Sequence, residues 1–299
     1  MRIALRLTLA LLPLLAGTTA TASSDKTFDR QVPAQPRGVV EISNVSGSIE
    51  VSGWDRNEVS VHAELDAGVE RVDVSSDGGR TTIKVMLPHA SSHGGEARLQ
   101  VKIPKASELN VSAVNADMIS NGVLGVQRLS AVSGNVTAEL GGADVELKTV
   151  SGDLRLKGHG LPARAHLSTV SGSVQLEHGA GDLEASTVNG ALVLSLDGAR
   201  SVRARTTAGD VRLEGKLARG ATLEASTVSG DVNVRASAEG GYAYEVSSFS
   251  GDITDCFNAS PERVSKYAPG SRLEGTRGEG AGHVRLKTMS GDVQLCDRP

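Results

Sequence analysis

Aromatic residues are nearly missing from this 299-residue chain. Phe28, Trp54, Tyr242, Tyr244, Phe249, Phe257 and Tyr267 are all there are, and none stands between Trp54 and Tyr242. A thick core built on aromatic area is thereby excluded, and so is a row of ring platforms for stacking sugars. Two cysteines are too few for a disulfide scaffold or a thiolate zinc centre. Neither charge dominates: 31 basic residues against 35 acidic give a net charge of −4. That balance offers no field for nucleic acid or for an anionic membrane. No stretch shows sustained helical periodicity, and no segment after the N-terminus is apolar enough to span a bilayer.

The first residues have a composition of their own. Arg2 and Arg6 precede LTLALLPLLAG, and Ala20-Thr21-Ala22 follows. Positive charge, a short apolar run and a small-x-small end predict an export signal over residues 1–22, cleaved after Ala22. No cysteine lies near that site to carry a lipid anchor. Residues 23–37 are expected to be an extended lead-in.

What the chain has in quantity is glycine, 35 residues, much of it in one recurring phrase. TVSGDLRLKG at Thr149 returns as TVSGSVQLEH at Thr169, TVSGDVNVRA at Thr227 and TMSGDVQLCD at Thr288. Aligned on its glycine, the phrase falls at Gly134, Gly152, Gly172, Gly190, Gly209, Gly230, Gly251 and Gly291, with Ala116 in a weaker copy and Gly47 in an earlier one. From Ala116 onward the steps are 18, 18, 20, 18, 19, 21, 21 and 40. A period near 20 residues predicts a solenoid of stacked coils.

The columns of this alignment carry the strand pattern. Two and four places after the glycine the residues are apolar, as in Leu154 and Leu156, with Arg155 between them. Period-two alternation of this kind marks a strand with one buried face. Upstream, Leu147, Leu167, Ala185, Ala204, Ala225, Val246 and Leu286 form a second apolar column, and Thr149, Thr169, Thr187, Thr206, Thr227, Ser248 and Thr288 share its inward parity. The next column is apolar too: Val132, Val150, Val170, Val188, Val228, Phe249 and Met289. Adjacent columns cannot both point inward on a straight strand, so a bend is expected here, with the Ser-Gly pair as its corner. In-register stacking of parallel strands predicts an all-β, parallel β-helix with about 18–21 residues per coil over residues 108–299. Residues 38–107 alternate less regularly (VEISNV, SIEVSG, VSVHAEL, TTIKVML, ARLQVKIP), with a hairpin turn at Asp77-Gly78-Gly79. They are expected to contribute the first coils and to cover one open end.

Cys256 and Cys296 each lie five places after their glycine. If residues 257–285 bulge out as a loop, the two occupy neighbouring coils at bonding distance; if that loop hides a coil, they lie two layers apart and cannot bond. Export favours oxidation, and closing this loop is worth about 4 kcal/mol on the chain-entropy model.

Reactive constellations are sparse. Asp153, Asp210, Asp231, Asp252 and Asp292 follow their glycines, but Asn135, Ser173 and Ala191 take the same place elsewhere. That interchange suits turn capping better than a calcium ladder. His159, His166 and His178 fall at differing offsets, unlike a zinc ligand set. RGEGAGHV at Arg277 lacks the Lys-Ser/Thr pair and helix start of a phosphate loop. No cofactor or catalytic set is expected. The insertion 257–285 holds a basic, partly aromatic group (Arg263, Lys266, Tyr267, Arg272 and Arg277) that either binds a partner or caps the end of the stack.

GSIEVSGWDRNEV at Gly47, the reiterated TVSGD phrases and the closing HVRLKTMSGDVQL together resemble the bacterial DUF4097-type putative adhesin family, related to the auto-transporter adhesin head domain. The resemblance runs from about Thr27 to the end of the chain. It implies an exported right-handed β-solenoid and carries no catalytic residues to transfer. The expected role is a non-enzymatic binding or structural scaffold in the periplasm or at the cell surface, its partner an envelope protein or glycan. A polysaccharide-acting enzyme or lectin is the alternative, and an envelope-stress accessory with a membrane partner is a second. The oligomeric state is left open.

Overall fold

The computed structural model describes residues 26–77, 79–88, 95–263 and 269–297; the expected export signal lies outside them. Among the described residues the chain is all-β, with 22 strands joined in one sheet system and no helix. The repeats form a solenoid-like stack. After each glycine a strand pairs in parallel with its counterparts in the next repeats: Leu154 lies between Val136 and Val174, Leu192 between Val174 and Val211. Before each glycine a second set pairs in the same way, with Leu167 between Leu147 and Ala185, and Ala204 between Ala185 and Ala225. Each layer thus has two sheet faces that meet at the Ser-Gly corner, where Ser151 bridges Ser133 and Ser171.

Alternation decides what fills the space between the faces. Leu147, Leu154, Leu156, Leu167, Leu176 and Leu194 are all fully buried, while Arg155, Lys157 and Gln175 point out. Burying one such side chain is worth about 1.5–3 kcal/mol, and short aliphatics suit the narrow gap. The bend expected at the corner is present. Thr149, Thr169 and Thr187 point inward and are buried, and the valine that follows each points to solvent.

Layer order departs from sequence order at both ends. Near the C-terminus, His283 to Ser290 lies between Thr222–Ser229 on one side and Ala243–Ser250 on the other. Val293 likewise lies between Val232 and Ile253. The Gly291 layer is therefore inserted between those of Gly230 and Gly251, where simple succession would place it last. Residues 257–285 are not a plain loop: Ser271–Gly278 is a strand that runs antiparallel along Gly241–Ser250 and covers the last edge. At the other end, Arg80–Met86 and Ala97–Pro104 flank Val39–Trp54 in parallel. Glu58–Leu65 and Arg71–Ser76 then cover them antiparallel. Closing each end with an antiparallel strand leaves little unpaired backbone to recruit another chain.

Candidate binding surface

The corners explain why the phrase is so uniform. Gly134, Gly152, Gly172, Gly190, Gly209, Gly230, Gly291 and Gly251 stand in one file in that spatial order. Their φ values run from +126° to +158°. A β-carbon on any of them would come within 2.0–2.2 Å of a backbone oxygen of the neighbouring layer; for Gly172 it is the Gly152 oxygen at 2.0 Å. The carbonyls so exposed to the interior are not left empty. Thr149, Thr169, Thr187, Thr206, Thr227 and Thr288 donate their hydroxyls to Gly134, Gly152, Gly172, Gly190, Gly209 and Gly230, at 3.0–3.3 Å. Ser248 does the same to Gly291. Outside the corner, the Asp and Asn side chains cap the next layer: Asp153 Oδ1 accepts from Ser173 N–H at 2.9 Å, Asp231 from Asp292 at 2.8 Å, and Asp292 from Asp252 at 2.8 Å. These carboxylates act on backbone. No cluster of three or more metal-ligating side chains occurs among the described residues.

Six places before the glycine runs a column that the sequence reading passed over. In spatial order it is Arg128, Glu146, His166, Glu184, Arg203, Glu224, Arg285 and Glu245, each the cross-strand neighbour of the next. Its signal was available in the aligned sequence as a column of charges. Opposite charges on directly paired positions stabilise a sheet. Hydrogen bonding from Lys148 holds the Glu146 carboxyl below its usual range, and bonding from Arg285 does the same for Glu245. Burial pushes Glu224 up, but Arg203 and Arg205 outweigh it and leave the carboxyl lowered. His166 Nδ1 sits 3.3 Å from Glu184 Oε2. This row borders a groove of about 420 Å³ that crosses several layers, lined also by Asp144, Arg164 and Asp182.

A second row faces out two places before each glycine. Val132, Val150, Val170, Val188, Val228, Met289 and Phe249, with Val45 and Val114 continuing it, are between 37% and 54% exposed. They account for nine of the thirteen exposed large hydrophobic residues among those described.

The C-terminal end gathers the residues singled out in the insertion. Lys266 and Tyr267 lie outside the described residues. Among the described residues, Arg263 pairs through its backbone with Ser271. Arg272 is held by Glu245 at 2.9 Å and by Glu274 at 2.5 Å. Arg277 donates to Asp297 at 2.7 Å and lies over the Phe257 ring, 4.3 Å from its centroid. The described cations at Arg272 and Arg277 are thus spent on neighbouring acids, which is how an end cap is built. Beneath them Tyr242 is buried with its edge toward Tyr244, and Tyr244 touches Phe257. Burial, above all, pushes the Tyr242 hydroxyl up to about 12. Cys256 and Cys296 form a disulfide in adjacent layers, with Cα atoms 5.0 Å apart. Among the described residues, no helix is long and apolar enough to cross a membrane.

The model of the Toastrack DUF4097 family matches residues 39–296, from the first stacked strand to the second cysteine. The chain belongs to this family. Solved structures similar to this chain include a "putative adhesin" from Parabacteroides distasonis, 11% identical, with a TM-score of 0.51 over 91% of this chain and 98% of that one. Others are a "putative adhesin" from Parabacteroides merdae (12%, TM-score 0.46, 90% and 96%) and a "putative lipid binding protein" from P. distasonis (13%, TM-score 0.47, 90% and 96%). At 11% identity the likeness to the first is one of fold. No curated protein matches the chain.

Proposed function

We propose that this Toastrack protein is an exported, non-enzymatic scaffold of the bacterial envelope, wound as a right-handed parallel β-helix and acting in an adhesin-like way. The observation that carries the reading is the groove bordered by the alternating row from Arg128 to Arg203. Its acidic and nitrogen-bearing side chains alternate at the layer spacing of about 4.8 Å, so each type recurs every second layer. A small molecule would use a fraction of that row. An elongated envelope glycan or protein segment with polar or charged groups at regular intervals would use its length. The ionic side chains along it are paired with neighbours, which leaves them poorly placed for proton transfer or nucleophilic attack.

The test pairs binding with turnover. The mature chain is expected to retain purified envelope glycans or envelope proteins on an array. Arg128→Ala combined with Arg203→Ala should weaken that retention by about tenfold. Polysaccharide hydrolysis that a single outward-facing substitution abolishes would defeat the non-enzymatic reading. Export itself is tested by fractionating cells that express the chain with and without residues 1–22.

A further inference from the structure

The apolar row two places before each glycine has no part in the groove. Like side chains stacked at the layer spacing support each other, yet about half of each remains in water. Ten positions, counting Thr207, span about 43 Å at the spacing of paired strands. Exposed apolar surface gathered to this degree marks an interaction site.

The flanks identify the occupant. On one side, four places before the glycine, Lys148, Arg205 and Lys287 stand among seven serines. On the other, one place after it, stand Asp153, Asp210 and Asp292, each in the same layer as one of those cations, while Asp117, Asp231 and Asp252 share their layers with Ser112, Ser226 and Ser247. We propose that two copies of this chain associate along this edge, side by side, about a two-fold axis parallel to the stack. That axis sets every layer against itself. Lys148 then faces the partner's Asp153, Arg205 the partner's Asp210, and Lys287 the partner's Asp292, twice over by symmetry. A two-fold axis across the row would instead bring aspartate rows together, which costs energy.

The side chains are free to do this in part. Asp210 and Asp292 accept through Oδ1 from the N–H groups of Asp231 and Asp252, which leaves Oδ2 for a further partner. Asp153 keeps its second oxygen 3.8 Å from Arg155. Lys148 and Arg205 also contact Glu146 and Glu224 within the chain, so their pairs would be shared ones. With its flanks, a strip about 43 Å by about 15 Å approaches the roughly 800 Å² that a stable interface takes from each partner. A lipid surface is the weaker match, because the aspartate row would meet anionic headgroups directly.

Light scattering on the chain at micromolar concentration should give twice the single-chain mass. Val132→Asp with Val170→Asp and Val228→Asp should give the single-chain mass with an unchanged far-ultraviolet spectrum. Because the chain's only two cysteines are bonded to each other, single cysteines report the axis cleanly. Val132→Cys and Val228→Cys, each oxidised alone, should cross-link to themselves, whereas an axis across the row would cross-link only the mixture of the two. A monomeric wild type, or cross-linking confined to that mixture, overturns the proposal; the cysteine readout stands even if the aspartate variant fails to fold.

Discussion

At Gly172 two separate demands fall on one position. Its φ of +152° is open to glycine and strained for anything else, and the hydrogen that replaces a side chain faces the Gly152 oxygen. Gly172→Ala is therefore expected to cost at least about 3 kcal/mol, read as a lowered urea midpoint. Gly198 makes the control: its φ is +86°, but nothing lies within 4 Å of where a β-carbon would go. Gly198→Ala should cost only about 1 kcal/mol. The threonine beside the corner is tested by shape alone. Thr187→Val keeps the volume but removes the hydroxyl that reaches Gly172 O at 3.0 Å. Losing the donor to a buried carbonyl should destabilise the chain by about 1–3 kcal/mol in the same measurement. The sequence announced that these columns matter and that threonine points inward. It could not say that the hydroxyl serves a carbonyl one layer away, because that contact depends on the stacking.

Strand order is the point at which reading and structure part. Alternation located the strands, since a buried face needs a residue at every second place whatever lies beside it. Which strand lies beside which is a matter of pairing, and the period alone favours simple succession. The charge column shows why succession fails at the C-terminal end. Following the sequence would set Glu224 against Glu245; inserting the Gly291 layer puts Arg285 between them, bonded to Glu245 at 2.8–3.0 Å. Cys256 and Cys296, by contrast, lie in adjacent layers in either order. Replacing both with serine should lower stability by about 4 kcal/mol, given a separation of 40 residues, and equilibrium unfolding with and without reductant checks it. The end cap carries a pH signature through Tyr242. Its hydroxyl titrates near 12 in the folded chain and near 10 when unfolded, so the folded state holds the proton longer. The stabilisation is whole below pH 10 and is lost as pH climbs to 12, by roughly 3 kcal/mol. Tyr242→Phe should flatten that decline in urea midpoints taken across the interval.

Over the whole molecule, stability is a sum over layers and their interfaces, because each layer touches only its neighbours. Removing one complete repeat, residues 173–190, joins Gly172 to Ala191 and preserves every column. The shortened chain is expected to fold, with circular dichroism per residue unchanged. A deletion of half that length should not, since it turns buried columns outward. The resemblance in the sequence reached the Toastrack family and an all-β stack, and the family model covers the same span. The groove was harder to see. It arises where neighbouring layers align, and no single repeat contains it.

The inserted layer sets a schedule for the polypeptide. As the chain emerges from its N-terminus, the segment around Gly251 is made some forty positions before the one that must lie beneath it. Until the final residues arrive, that segment has no seat, and Thr227 to Ala238 remains an open rim. A message cut short before Gly282 would thus strip away two tiers rather than one.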